Sequence, residues 1–197
     1  MTSTPTRIVA VAAAVSTAVV VSSCSKTEDH TQHAASTVPT SQAVAAHNAD
    51  DVMFAQMMIP HHQQAVDLAA IAAVHTTNQA VRILAGKIAD EQQPEIDQMN
   101  ALLQQWDVDP ATTDHSGHGA AMQGMVDDAT MTKLKSLNGP QFDTLWLQAM
   151  IGHHQGAIEM AKAEIANGQS ADLTAMAKSI VTAQQAEIDQ MKQMLGG

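Results

Sequence analysis

The chain has 197 residues, with two Phe, two Trp and no Tyr, and its abundant Ala, Gln, Met and Leu favour helices over sheets. The formal net charge is −11, and the few Lys and Arg residues are dispersed along the chain. An acidic chain of this kind is a poor candidate for binding nucleic acid or an anionic membrane surface.

The N-terminal segment resembles a secretory signal. Arg7 precedes a short apolar run, and the stretch VSSC ends at Cys24, the only cysteine of the chain. The run is short for a membrane span and suits a cleaved signal peptide over residues 1–23, while VSSC is similar to a bacterial lipobox. We therefore predict that Cys24 is lipidated and anchors the protein to the bacterial cell membrane, outside the cytoplasm. A plain signal peptide with a leftover cysteine and an uncleaved anchor are the alternatives.

The rest of the chain divides into a tether and one domain. Residues 25–40 are polar and lack apolar periodicity, which predicts a flexible tether ahead of a domain over 41–197. A linker over 107–126 contains Pro, Gly and Ser and divides the domain into two halves. Apolar periodicity and stop signals predict helices over 41–75, 77–105, 127–137, 140–167 and 170–195.

The two halves of the domain repeat one another. Residues 51–103 align without gaps with residues 143–195 at an offset of 92, and 19 of 53 positions are identical. Each copy predicts a helical hairpin, and two hairpins that share a core form an all-α four-helix bundle.

The repeat contains a doubled histidine motif. MIPHHQQAVDLA, over residues 58–69, returns as MIGHHQGAIEMA, over residues 150–161. On a helical wheel, the second histidine of each pair lies at the centre of the apolar stripe, and the first lies at the seam with a neighbouring helix. The four histidines are His61, His62, His153 and His154.

These histidines need partners because burying an unpaired polar group is costly. The second helix of each hairpin directs a carboxyl group, Glu95 or Glu187, toward the same interior. Two interpretations satisfy the groups: they hydrogen-bond across the core and fix the helix register, or they ligate a metal. The recurrence of the whole set in two copies favours the metal, with the two carboxyl groups either as ligands or as groups that orient the imidazoles.

Methionines one turn from these groups narrow the choice of metal. Thioether sulfur suits Cu(I), and imidazole binds both copper states, so we favour Cu(I) and leave Cu(II) and other soft ions open. Ordinary core filling is the alternative for the methionines. The candidates are Met57, Met58, Met99, Met150 and Met191.

Other metal chemistries lack their motifs. The chain has no Glu-x-x-His for a di-iron centre, no Cys-x-x-Cys-His for haem and no second cysteine for an iron–sulfur cluster. Pro60 and Gly152 stand just before the histidine pairs. Either they loosen the helices and open room beside the imidazoles, or Gly152 only allows close contact with another backbone.

The linker carries a second, weaker candidate site. Its stretch DHSGHGAAMQGM combines copper-type ligands with glycines and could wrap an exposed ion. A solvated loop with incidental histidines is the alternative. The candidate ligands are His115, His118, Met122 and Met125.

MIPHHQQAVDLA, FDTLWLQAMIGHHQGAIEMA and EIDQM resemble the bacterial family called domain of unknown function 305, over residues 45–195. The resemblance implies a ferritin-like four-helix fold, secretion or lipid anchoring, and copper binding through the doubled motif. Ala149 departs from the first half, which has Met57 at that place, so equal affinity of the two halves is not implied.

From these observations we predict an extracytoplasmic protein that binds copper ions for buffering, tolerance or delivery, and that is not an enzyme. One alternative is a metal-free bundle that binds a protein or an envelope component. Another is an oxidase that uses a redox metal, although the sequence shows no nucleophile constellation and no substrate motif.

Overall fold

A computed structural model describes residues 46–110 and 123–196. Over these residues the chain forms helices and no strand, which confirms the all-α bundle. The helices are α1 Ala49–His75, α2 Gln79–Gln105, α3 Asp128–Ser136, α4 Gly139–Asn167 and α5 Ala171–Met194. In the part of the chain that is described, no helix has the length and apolar character needed to cross a membrane. The predicted signal peptide, Cys24, the tether, His115, His118 and Met122 lie outside the described residues.

The first helix begins later than predicted, at Ala49 instead of residue 41. Asn48 caps it, because its side chain accepts hydrogen bonds from the backbone N–H groups of Asp50 and Asp51. The Asp51 carboxylate in turn accepts the Asn48 backbone N–H at 2.6 Å, which completes a capping box. Apolar periodicity alone could not separate this start from the alanines that precede it.

The bundle is assembled from two hairpins that meet through α1 and α4. α1 pairs with α2 and α4 pairs with α5, whereas α2 and α5 touch only locally. Pro60 lies inside α1 and Pro94 inside α2, and neither proline ends its helix. α3 packs across α1 and α4 with Leu134 fully buried.

The core consists of two apolar clusters with the histidine pairs between them. In α1, Met58 belongs to one cluster and Ala65 to the other, and His61 and His62 lie between these positions. In α4 the order is reversed, because Met150 belongs to the cluster of Ala65. The doubled motif therefore forms a polar layer across the middle of the α1–α4 contact.

Candidate metal centre

The four motif histidines come together at the contact between α1 and α4, and all four are 0% exposed. The rings of His61 and His153 are in contact in a tilted arrangement, with centroids 3.8 Å apart and planes inclined by 35°. The helical period placed all four residues on inward faces. Their mutual contact follows from the way the hairpins cross.

The second histidine of each pair is held by a carboxylate from the other helix of its own hairpin. His62 Nε2 lies 2.7 Å from Glu95 Oε2, and His154 Nε2 lies 2.8 Å from Glu187 Oε2. Because a carboxylate oxygen can only accept, each of these Nε2 atoms carries the proton. Each carboxylate therefore fixes the orientation of its imidazole through Nε2.

The first histidine of each pair is held by a backbone carbonyl. His153 Nε2 donates to the carbonyl of His61 at 3.0 Å, so that one half of the repeat binds the other. His61 Nε2 donates to the carbonyl of Gln123 at 3.2 Å, at the end of the linker. A carbonyl cannot donate, and both Nε2 atoms are therefore protonated as well.

With every Nε2 engaged as a donor, every Nδ1 presents a lone pair. The four Nδ1 atoms are buried and have no hydrogen-bond partner. A buried acceptor without a donor is costly, and four in one layer are hard to explain as structural pairing. Neutral imidazole nitrogens in a dry interior are suitable ligands for a soft cation.

Burial keeps the imidazoles of His61, His153 and His154 neutral, so that protons do not compete for their lone pairs. Burial, and then electrostatic repulsion from the neighbouring His62, lowers the pKa of His61 to about 3. Burial and the neighbouring histidines hold the pKa of His153 well below its usual range. Burial also lowers the pKa of His154, although the Glu187 carboxylate opposes the shift.

The two carboxylates differ in their surroundings. Glu187 is buried and also accepts a hydrogen bond from Lys87 Nζ at 2.8 Å, whereas the Glu95 side chain is 23% exposed. Burial would raise the pKa of Glu187, but the hydrogen bonds from His154 and Lys87 outweigh it and lower that pKa. In the half that contains His154, the carboxylate that holds the imidazole is thus buried and compensated by the charge of Lys87, whereas Glu95 in the other half is partly exposed.

The end of the linker closes over the histidine layer. We call Gln123–Val126 the strap. The Gln64 side chain binds it twice, donating to the Val126 carbonyl at 2.9 Å and accepting the Val126 N–H at 2.7 Å. Gly124, with φ of +85°, lies so close to α4 that a Cβ there would meet the Gly152 carbonyl oxygen at 2.5 Å.

Gly156, and not Gly152, makes room for the strap. A Cβ on Gly156 would lie 1.8 Å from the Gln123 carbonyl oxygen, whereas a Cβ on Gly152 would have no neighbour within 4 Å. The alternative interpretation, in which the missing Cβ of Gly152 allows a close contact, therefore does not hold. The repeat alignment points to this position of close contact, because Gly156 aligns with Gln64 and the two residues differ.

The methionines occupy different places. Met58 and Met150 are fully buried one turn before His62 and His154. Met99 and Met191 are buried among apolar side chains, as core filling requires, and Met57 is half-buried beside a cleft. Met125 is half-buried within the strap.

Within 46–110 and 123–196, no three His, Cys, Asp or Glu side chains surround one point as in a formed metal site. The carboxylates contact the protonated Nε2 atoms. A metal ion in this layer would therefore be bound by imidazole Nδ1 atoms together with softer ligands, such as thioether sulfur, and not by the carboxylates. Sequence reasoning missed Gln64, Lys87, Gln123 and Gly156, and of these only the difference between Gln64 and Gly156 was visible in the repeat.

Comparison with known proteins gives the family. The family model described as domain of unknown function (DUF305) matches residues 51–195. The chain belongs to the DUF305 family. A DUF305 protein from Streptomyces coelicolor, described as secreted, has a TM-score of 0.71 and 34% identity, over 75% of this chain and 92% of that one. A DUF305 fragment from Deinococcus radiodurans has a TM-score of 0.68 and 34% identity, over 76% and 97%.

A further solved relative carries metal. CopM in its Cu(I)-bound form has a TM-score of 0.62 and 31% identity, over 73% of this chain and 94% of that one. CopM has also been solved in Cu(II)-bound, silver-bound and apo forms. A comparison with curated proteins gives no match.

Proposed function

We propose that this DUF305 protein binds Cu(I) outside the cytoplasm, and that it buffers or delivers the ion without catalysing a reaction. The observation that carries the proposal is the layer of four buried Nδ1 atoms without hydrogen-bond partners. Met58 and Met150, one turn away on the same helices, add thioether sulfur of the kind that selects Cu(I). His62 and His154 are the ligands whose orientation is best supported, since a carboxylate holds each of them.

The relatives support a copper cargo and an extracytoplasmic location. CopM is a copper- and silver-bound protein of the same fold, and the Streptomyces relative is described as secreted. Lipid anchoring through Cys24 belongs to the same proposal and is supported by VSSC in the sequence. Labelling with a radioactive fatty acid, in the parent and in Cys24→Ala, would test the anchor.

Anaerobic Cu(I) binding tests the proposal directly. Residues 25–197 would be titrated against a chromophoric Cu(I) chelator, and the bound copper would be counted by elemental analysis. We expect tight uptake by the parent and its loss in the double variant His62→Ala/His154→Ala. Because a ligand that binds only the folded state stabilises it, the parent should gain about 2.7 kcal/mol at a free ion concentration of 100 times Kd.

The matched control is His75→Ala. His75 lies on α1 at the contact with Leu137, outside the histidine layer, so copper uptake should not change. Circular dichroism would verify that each variant remains helical. Parent protein that takes up no copper beyond the chelator baseline while remaining folded would overturn the proposal, and the doubled motif would then be core architecture.

A further inference from the structure

A methionine-lined cleft lies beside the histidine layer. It has a volume of about 300 Å³ between α1 and α4. We call it the methionine cleft after the three thioether side chains that line it, Met53, Met57 and Met160. All three are half-buried, so they can be reached from solvent.

Helix geometry places the three methionine side chains around one cleft. Met53 and Met57 are one turn apart on the same face of α1. α4 runs antiparallel to α1 here, since Asn48 at the start of α1 donates to the carbonyl of Asn167 at the end of α4 at 2.8 Å. Met160 therefore faces the α1 pair across the cleft, and methionine is flexible enough to close on a small ion.

The internal repeat shows that the fold does not require these thioethers. At the offset of 92, the equivalents of the three methionines are Leu145, Ala149 and Leu68, none of which bears sulfur. At that end the indole of fully buried Trp146 donates to the carbonyl of Leu68 at 2.9 Å, and α3 covers the surface. One end of the α1–α4 contact is thus packed with hydrocarbon side chains against α3, and the other is an open cleft lined with sulfur.

A buried carboxyl group lies at the same cleft. Glu164, one turn beyond Met160, lines it and is 2% exposed, and burial and the neighbouring Asp51 carboxylate raise its pKa to about 8, so that it is mostly uncharged at neutral pH. Its equivalent in the first half is Ala72. Asp50 and Glu159 also line the cleft and add negative charge. Among residues 46–110 and 123–196, no Lys, Arg or His lines the cleft, so the charge of its described lining favours a cation.

The cleft also adjoins the strap. Gln123 lines the cleft, and its carbonyl accepts the hydrogen bond from His61 Nε2. Met57 is one turn from His61 on α1. An ion held by the thioethers would therefore be separated from the imidazole layer by one helical turn and by the strap.

We propose that the methionine cleft is a second, solvent-accessible binding site for a soft monovalent cation, Cu(I) or Ag(I), held by the thioethers of Met53, Met57 and Met160. Because it lies next to the strap, it holds the ion before transfer to the buried imidazoles. This transfer role rests on the proposed function, whereas binding in the cleft does not.

Silver is the suitable probe because Ag(I) is soft and needs no reductant. Residues 25–197 would be labelled with ¹³C-methyl methionine and titrated with silver nitrate in chloride-free buffer, with bound silver counted by elemental analysis. We expect the methyl signals of Met53, Met57 and Met160 to shift in the parent and equally in His62→Ala/His154→Ala. The variant Met53→Leu/Met160→Leu should bind one equivalent of silver fewer than the parent. Met57 is not substituted in this variant, because it lies next to the histidine layer.

The control is Met131→Leu/Met194→Leu, a pair of half-buried methionines away from the cleft, which should bind as much silver as the parent. The inference is overturned if Met53→Leu/Met160→Leu binds as much silver as the parent, or if the histidine variant abolishes the three methyl shifts while remaining helical. If silver binds the parent only at the methionine cleft, the proposed function is contradicted, whereas this inference is supported.

Discussion

At the scale of single residues, hydrogen bonds decide which nitrogen of each imidazole is available. Each Nε2 is committed to a carboxylate or a carbonyl, and each Nδ1 is left with a buried lone pair. This arrangement destabilises the metal-free protein, because each buried Nδ1 has lost its hydrogen bond to water and has gained no other hydrogen bond. A bound cation would relieve it, which links binding to stability.

The first prediction concerns acid. His61, His153 and His154 all have lowered pKa values in the folded state, so the unfolded chain binds more protons as the pH falls below 6.5. Their stabilising contribution is fully present above pH 6.5 and is lost toward about pH 3 for His61. Each group costs up to about 1.4 kcal/mol per pH unit in that window. Glu164, whose pKa burial and Asp51 raise to about 8, opposes the trend between pH 8 and 4.5.

We therefore expect the free energy of unfolding of the metal-free protein, measured in urea, to fall between pH 7 and pH 5. His61→Gln/His153→Gln removes two of the three titrating groups and should flatten this slope. An identical slope in parent and variant would show that folding does not shift the pKa values of His61 and His153.

The second prediction concerns the support of His154. Glu187→Gln keeps an oxygen that can accept from His154 Nε2 but removes the negative charge that raises the basicity of Nδ1. We expect the affinity for Ag(I), measured by chelator competition, to fall about 10-fold. Glu91→Gln is the control, because Glu91 also binds Lys87 at 2.8 Å but does not touch a histidine. An equal loss in both variants would assign the effect to Lys87.

At the scale of elements, the two copies of the motif have diverged where the strap crosses them. Gln64 on α1 holds the strap by two hydrogen bonds, and Gly156 on α4 leaves space for its backbone. If the two halves were identical at this position, both would have a glutamine or both a glycine. The strap would then lose either its two hydrogen bonds or the space for its backbone. The asymmetry lets a single linker close the layer from one side.

The third prediction tests this difference. In Gly156→Ala the new methyl group would overlap the Gln123 carbonyl, so the strap must move, and the free energy of unfolding should fall by about 1–3 kcal/mol. The backbone N–H of Val126 donates to the Gln64 side chain, and its hydrogen should exchange with solvent faster in this variant. Gly152→Ala, one turn away with open space, should be neutral or stabilising by about 0.5–1 kcal/mol. Equal destabilisation by the two variants would contradict the close contact at Gly156.

At the scale of the whole molecule, each hairpin is clamped to the loop of the other. The Asp51 carboxylate at the start of α1 accepts the backbone N–H groups of Gln169 and Ser170, between α4 and α5, at 3.1 and 2.8 Å. Its repeat equivalent, Asp143, accepts the hydroxyl of Thr76, between α1 and α2. Burial would raise the pKa of Asp51, but the backbone bonds from Ser170, Asn48 and Gln169 outweigh it and lower the pKa.

The fourth prediction is that loss of the clamp destabilises the whole bundle without separating the unfolding of the two hairpins. Asp51→Ala leaves three backbone N–H groups without their acceptor, each costing about 1–3 kcal/mol if it stays buried. We expect the free energy of unfolding to fall by about 3 kcal/mol in a single cooperative transition. Asp50→Ala, in the same turn but outside the clamp, should change it little. A second transition in Asp51→Ala would mean that each hairpin is stable alone.

The sequence by itself determined the helical bundle, its division into two hairpins and the inward position of the four histidines, because these follow from a 3.6-residue period and an exact offset of 92. Glu95 and Glu187 were also predictable, since their helices carry the same period. The tertiary structure decided the role of each ring nitrogen. The acceptors of His61 and His153 are carbonyls 62 and 92 residues away in the chain, and no local pattern encodes such contacts. It also decided that α3 covers only one end of the α1–α4 contact and leaves the sulfur-lined cleft open at the other.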